Sequence, residues 1–316
     1  MLYGILAGVT WALETVILGA ALRMGALVST QQALLLAPFA AAFLHDFCSA
    51  VFMCVFNGVR GKLPQVGRTL KTRGGRFVAL AAVIGGPVGM TGYALCVSNL
   101  GASVGAVASA VYPAIGAALA YFFLKEKMQW YRWLFLLLSL GGVYALSYAP
   151  QTEVRHFWLG LAGMLMCAFG WGIEAVLIAR CVRGGDVAHD VALQIRQTTS
   201  ALVHGAVVLP IVKGWSFTAS LLHGNWKLPG VIALAALAAT ASYLCYYRSI
   251  AKIGAAKSMA LNITYCAWAV VFSVVLFGKR ELLEPVTILC TAAVLCFGIL
   301  AGADLGDLFA RKKAGS

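Results

Sequence analysis

Residues 77–99 read FVALAAVIGGPVGMTGYALCVSN, a run without a single Asp, Glu, Lys, Arg or His. About 20 apolar residues carry a helix across roughly 30 Å of hydrocarbon, so this run is a membrane span and not a core strand. Val104 to Leu124 and Val286 to Ala303 repeat the pattern. The whole 316-residue chain is 61% hydrophobic and 11% charged, with a mean hydropathy of +0.87. A soluble domain carries roughly 25% charged residues and has nowhere to bury so much apolar surface. Breaks at charged, Pro and Gly residues divide the rest into about ten spans, near 2–23, 33–58, 77–99, 103–124, 130–149, 157–182, 190–212, 229–252, 256–277 and 284–304. The expected fold class is therefore an all-α membrane protein of about ten transmembrane helices.

A net charge of +13 would suggest nucleic acid as the partner of a soluble chain. Here the basic residues sit in alternate loops, with Arg60, Lys62, Arg68, Lys71, Arg73 and Arg76 between the second and third spans. That bias orients the protein in the bacterial inner membrane with both termini cytoplasmic, leaving membrane lipids as the surrounding partner and no nucleic acid. The first apolar stretch, Leu2 to Leu22, has no basic n-region or small-residue cleavage site, and reads as a retained first helix. The nine cysteines show no Cys-x-x-Cys pair or metal-ligand spacing and read as small buried residues.

The two halves resemble each other. Trp11-x-x-Glu14 recurs as Trp171-x-x-Glu174, and Gly101-Ala102 with Tyr112 recurs as Gly254-Ala255 with Tyr265, a register that sets Ser109 opposite Asn262. Five spans per half reverse the orientation of the second copy, so the expectation is a five-plus-five inverted-topology repeat. Residues 1–150 form the first five-helix repeat and 151–316 the second, with a short cytoplasmic tail. Such repeats support alternating access. No Gly-x-x-x-x-Gly-Lys-Ser/Thr loop is present, so an ion gradient, with no nucleotide or other cofactor, is the expected energy source.

Ionisable groups inside spans cost about 2.5–3.5 kcal/mol each on insertion scales and usually face a cavity or a partner. Glu14, His45, Asp46, Glu174 and Arg196 fall at such depth. They fit a central acidic site in which Glu174 serves as counter-charge, with Glu174, Glu14, His45 and Asp46 as candidates for ion coupling. They equally fit a packing lock in which a Glu pairs with Arg196 or His45. Trp11, Tyr112, Trp171, Tyr243, Tyr246, Tyr247, Tyr265 and Trp268 place rings near mid-span, away from the interfacial belts where Tyr and Trp concentrate. Rings with one carboxylate suit a quaternary ammonium, which takes cation–π attraction and offers no N–H to satisfy; ordinary aromatic packing is the alternative for any single ring. Ser109 and Asn262 either bind a substrate hydroxyl or bridge helices. Gly85, Gly86, Pro87 and Gly89, and likewise Pro113, are expected to interrupt their helices and free carbonyls toward a cavity.

These segments resemble the drug/metabolite transporter superfamily, and within it the LicB-type bacterial choline permeases, across nearly the whole chain. The resemblance rests on His45-Asp46-Phe47, Gly86-Pro87-Val88-Gly89-Met90, Ser109 through Ile115, Trp171-Gly172-Ile173-Glu174, Ile195-Arg196-Gln197 and Leu261-Asn262-Ile263-Thr264-Tyr265. It implies a secondary active importer of choline driven by protons. Trp11, Tyr112, Trp171, Tyr243, Tyr246 and Trp268 would surround the trimethylammonium, with Glu174 as the acidic partner. Glu14 departs from the family pattern. An exporter of amino acids, nucleosides or drugs is the alternative within the superfamily. An intramembrane enzyme or scramblase lacks a nucleophile in register with His45, so no enzymatic activity is expected.

Overall fold

The computed structural model describes residues 1–147, 154–223 and 226–303, which are helical with no strand among them. The long helices are α1 (Leu2–Ala21), α2 (Gln31–Val59), α3 (Arg73–Leu100), α4 (Ala102–Phe123), α5 (Trp130–Ser147), α6 (Phe157–Arg183), α7 (His189–Ile211), α8 (Lys227–Ile253), α9 (Ala255–Phe277) and α10 (Pro285–Gly302). Seven of them, α1, α2, α3, α6, α8, α9 and α10, are each long and apolar enough to cross a membrane. The expected division at residues 150 and 151 and the tail at 311–316 lie outside the described residues.

Local chemistry moves several expected boundaries. Thr72 Oγ1 accepts from Gly75 N at 3.1 Å, and this cap starts α3 at Arg73 instead of 77. A further helix, Leu63–Leu70, occupies part of the basic loop before it, and Trp215–His223 follows α7 at an angle of 115°. Within α3, Ile84–Val88 form a π-helix, the interruption expected from Gly85, Gly86 and Pro87. A second π-helix, His204–Val208, lies in α7. By contrast α4 runs unbroken through Pro113, so the expected break there does not occur. The break lies instead in α9, at Ile263 and Thr264 between Ala255–Asn262 and Tyr265–Phe277.

Helix α1 packs against α8 and α9, while α6 packs against α3 and α4. The pairs α2 with α7, α4 with α9, and α5 with α10 complete the bundle. Small residues permit the close crossings that helices need when lipid supplies no hydrophobic drive between them. A Cβ on Gly92 would lie 2.7 Å from Gly163 O, and one on Gly163 would lie 2.6 Å from Gly92 O. Helices α5 and α10 are joined by Ser139 Oγ, which donates to Val294 O at 3.3 Å, and supply none of the expected site residues.

Two helix junctions share one backbone conformation: Gly101 between α3 and α4 has φ 93° and ψ 164°, and Gly254 between α8 and α9 has φ 88° and ψ 169°. A positive φ of that size strains any residue with a Cβ. At Gly254 the space is also taken, because Glu126 caps α9 there. Its two carboxylate oxygens accept from Ala255 N and Ala256 N at 3.0 Å each, and Oε1 also meets Arg183 Nη1 at 2.9 Å. At the same end of the bundle Asp190, fully buried, meets Lys62 Nζ at 2.5 Å and Arg60 Nη1 at 3.2 Å, tying α7 to the end of α2. Because a lost N-cap costs about 0.5–2 kcal/mol and an exposed ion pair about 0–1, Glu126→Ala is expected to lower the melting temperature more than Arg183→Ala. Equal shifts in a thermal melt would show that the cap is not what Glu126 contributes.

Candidate functional site

Five carboxylates and bases from four helices form one buried chain at the centre of the bundle. Glu14 on α1 places Oε1 3.6 Å from His45 Nε2 on α2, and His45 Nδ1 lies 3.3 Å from Asp46 Oδ1. Asp46 Oδ1 is 3.5 Å from Arg196 Nη1 on α7, whose Nε donates to Glu174 Oε1 on α6 at 2.7 Å. Glu174 and Arg196 are 7% and 4% exposed, so neither charge is relieved by solvent at the surface. Glu174 therefore pairs with Arg196, the arrangement of the packing-lock alternative, and Glu14 faces His45.

Helix α7 supplies more than sequence reading assigned to it. Ser200 Oγ donates to Asp46 Oδ2 at 2.5 Å, His204 Nδ1 lies 3.3 Å from the same oxygen, and Gln197 Oε1 accepts from Arg196 Nη1 at 2.7 Å. Asp46 thus stands between two imidazoles, a hydroxyl and a guanidinium. The signal was present in the sequence, since Arg196, Ser200 and His204 are spaced by four and share one helical face.

The aromatic residues assemble beside this chain. Tyr112 meets Trp171 edge to face with centroids 5.7 Å apart, and Tyr93, which sequence reading did not single out, stacks on the same indole at 6.1 Å. Trp11 and Tyr247 each meet Tyr243 edge to face, at 5.0 and 6.0 Å. Tyr246 lies 6.3 Å from Tyr247. The face of Tyr243 already holds a cation, the Arg196 guanidinium carbon 4.9 Å from its centroid. Asn262 Nδ2 donates to Tyr112 OH at 2.8 Å, and Ser109 Oγ lies 3.3 Å from Tyr265 OH, so both polar residues bridge α4 and α9. Trp268 lies on the second segment of α9. Its Nε1, together with Asn262 Oδ1, Tyr246 OH and Tyr247 OH, is buried without a hydrogen-bond partner among the described residues. Buried polar atoms are paired in the large majority of cases, so each of these atoms offers a donor or acceptor to a polar partner.

Glycines of α3 make the arrangement possible. Trp171 Nε1 donates to Gly85 O at 2.9 Å, an acceptor turned out by the π-helix. A Cβ on Gly85 would overlap Glu174 Oε2, one on Gly86 would overlap Ser200 Oγ, and one on Gly89 would sit 2.8 Å from Trp171 Nε1. No group of three or more His, Cys, Asp or Glu among the described residues is arranged to hold a metal ion.

Residues 1–148 match the EamA-like transporter family. The chain is 28% identical over 291 residues to Protein LicB of Haemophilus influenzae, covering 92% of each chain. Its first half thus carries an EamA-like transporter domain, and the chain is similar to Protein LicB along nearly all of its length. In fold the transporter is similar to a solved crystal structure that aligns with 98% of it and 97% of the other chain, at a TM-score of 0.70 and 15% identity. The matched family is one of transporters, and the seven long apolar helices are those of a multi-pass membrane protein.

Gly85→Ala is expected to destabilise the transporter by about 1–3 kcal/mol through overpacking against Glu174, whereas Gly141→Ala, where a Cβ meets nothing within 4 Å, changes little. Matching melting temperatures for the two variants would contradict the close approach of α3 to Glu174.

Proposed function

We propose that this transporter imports choline, or a closely related quaternary ammonium, by proton-coupled alternating access across the bacterial inner membrane. The observation that carries the reading is the placing of a buried carboxylate, Glu174, beside a set of rings: Glu174 and the Trp171 indole both lie against Gly85, Tyr112 meets that indole, and the Arg196 that pairs with Glu174 covers Tyr243. Ring faces attract a cation by about 2 kcal/mol or more when it is desolvated, and a trimethylammonium leaves no N–H unpaired among them. Tyr246 and Trp11 flank this set, with Tyr265 and Trp268 on the broken helix α9. Asn262, whose Oδ1 is unpartnered, supplies the acceptor for the hydroxyl of choline. The likeness to Protein LicB over nearly the full length supports the same assignment.

Ten spans in a five-plus-five inverted repeat, 1–150 and 151–316, are the architecture proposed to move this site between the two faces. The packing supports it, because adding five to each helix number turns one contact into another: α1 with α8 and α9 corresponds to α6 with α3 and α4. Individual side chains follow the same exchange. Tyr112 with Asn262 corresponds to Tyr265 with Ser109, and Gly101 shares its backbone with Gly254. The family match to residues 1–148 covers one such half. Basic loops after α2, α4, α6 and α8 orient both termini toward the cytoplasm.

Protons enter the cycle through the carboxylates. Glu174 binds the substrate, and Glu14, His45 and Asp46, a chain of titratable groups extending from it toward α1, carry the proton. In proteoliposomes, a proton gradient is expected to drive accumulation of labelled choline but not ethanolamine, and Glu174→Gln is expected to abolish that accumulation. Trp171→Ala should raise the KM about 30-fold and Trp171→Phe much less, the value of about 2 kcal/mol of lost cation–π attraction. Absence of choline uptake, with efflux of an amino acid, nucleoside or drug in its place, would replace this reading by the exporter alternative.

A further inference from the structure

Both carboxylate oxygens of Glu174 have close neighbours within the protein. Its Oε2 is packed against the backbone of Gly85 so closely that a Cβ there would overlap it, which narrows the room on that side. Its Oε1 accepts from Arg196 Nε at 2.7 Å. The Arg196 guanidinium also covers the face of Tyr243 at 4.9 Å, while Trp11 and Tyr247 meet the same ring edge to face. The two features that would hold a substrate cation, the carboxylate and a ring face, are therefore both filled by a side chain of the protein itself. A second cation cannot simply join it. Like charges a few ångströms apart repel strongly away from water, and one carboxylate does not neutralise two of them.

The guanidinium has a second place to go. Its Nη1 already lies 3.5 Å from Asp46 Oδ1 and donates to Gln197 Oε1 at 2.7 Å. Asp46 is held in position by Ser200 Oγ at 2.5 Å and faces His45 and His204, each at 3.3 Å. A rotation of the long Arg side chain toward Asp46 exchanges one buried carboxylate for another without leaving the guanidinium unpaired. Both acceptors lie within reach of one arginine on α7, while the carboxylates belong to α6 and α2.

We infer that Arg196 is a resident cation that occupies the ammonium subsite of the empty carrier and is displaced toward Asp46 when substrate binds. The inference rests on the reading of Glu174 and the aromatic set as a quaternary-ammonium site. It gives the carrier a neutral pair at its centre in both halves of the cycle: Arg196 with Glu174 when empty, and substrate with Glu174 and Arg196 with Asp46 when loaded. An unpaired buried carboxylate would otherwise oppose the return of the empty carrier. It also makes apparent affinity depend on how often the subsite is vacated, since a site available only part of the time binds correspondingly more weakly.

The test measures choline binding by calorimetry at alkaline pH and choline uptake into proteoliposomes, for the wild-type chain and for Arg196→Gln. Removing the competitor is expected to tighten binding by about threefold or more while net uptake slows by about tenfold or more, because the empty carrier no longer neutralises Glu174. Weaker or unchanged binding in the folded variant would make Arg196 a fixed structural partner and overturn the inference. A measurement on the wild-type chain covers the case in which the variant does not fold. With arginine labelled by nitrogen-15, the Nε–H resonance of Arg196, assigned by its loss in Arg196→Lys, is expected to shift or vanish on saturation with choline. An unmoved resonance in a chain that binds choline overturns the inference alone, whereas a wild-type chain that does not bind choline overturns the quaternary-ammonium reading beneath it.

Discussion

A charge inside hydrocarbon must have a partner, and the centre of this bundle is arranged around that constraint. Glu14, His45, Asp46, Arg196 and Glu174 join four helices through contacts of 2.7–3.6 Å. Removing one member of such a chain leaves the next one buried and unpaired, at a cost of about 3–5 kcal/mol. The network is thus both a fastening and a store of alternative pairings. Arg196 touches two carboxylates and Asp46 touches three bases, so a small movement redistributes partners without stranding a charge.

Backbone irregularity gives the network its room. The π-helix at Ile84–Val88 turns the Gly85 carbonyl toward the Trp171 indole, and the absent side chains of Gly85, Gly86 and Gly89 admit Glu174, Ser200 and Trp171 against α3. A regular helix carrying alanine at those positions would push α6 and α7 away. The second π-helix begins at His204, so both irregular segments border the same buried cluster. Broken helix α9 contributes Asn262 and Tyr265 on either side of its interruption, an arrangement seen where a carrier exposes polar groups near mid-membrane.

Much of this was legible in the sequence. Apolar runs gave the helices because their length is fixed by membrane thickness, and the paired motifs at Trp11 and Trp171 identified which helices bring acids to the centre. The register that makes Tyr112 equivalent to Tyr265 and Ser109 to Asn262 was legible, but not that Tyr112 bonds Asn262 and Ser109 meets Tyr265. What sequence left open was the choice of partners. Glu174 lay equally well as a free counter-charge or as half of an ion pair, and only three-dimensional proximity distinguishes them, because Arg196 lies on the next helix, whose rotation toward Glu174 no spacing fixes. The break in α9 in place of one at Pro113 was also hidden, since a proline's missing N–H can be absorbed in a continuous helix. Ser200 and His204 carried a helical spacing with Arg196 but no chemistry of their own until Asp46 was seen beside them.

The central claim is that one carboxylate, Glu174, serves in turn the protein's own cation and the substrate's. An experimental structure of the wild-type chain saturated with choline tests it most directly. The account predicts the trimethylammonium among Trp171, Tyr112 and Tyr243, in contact with Glu174, and the Arg196 guanidinium withdrawn to Asp46. Choline bound elsewhere, or Arg196 still joined to Glu174 with choline in place, would contradict it.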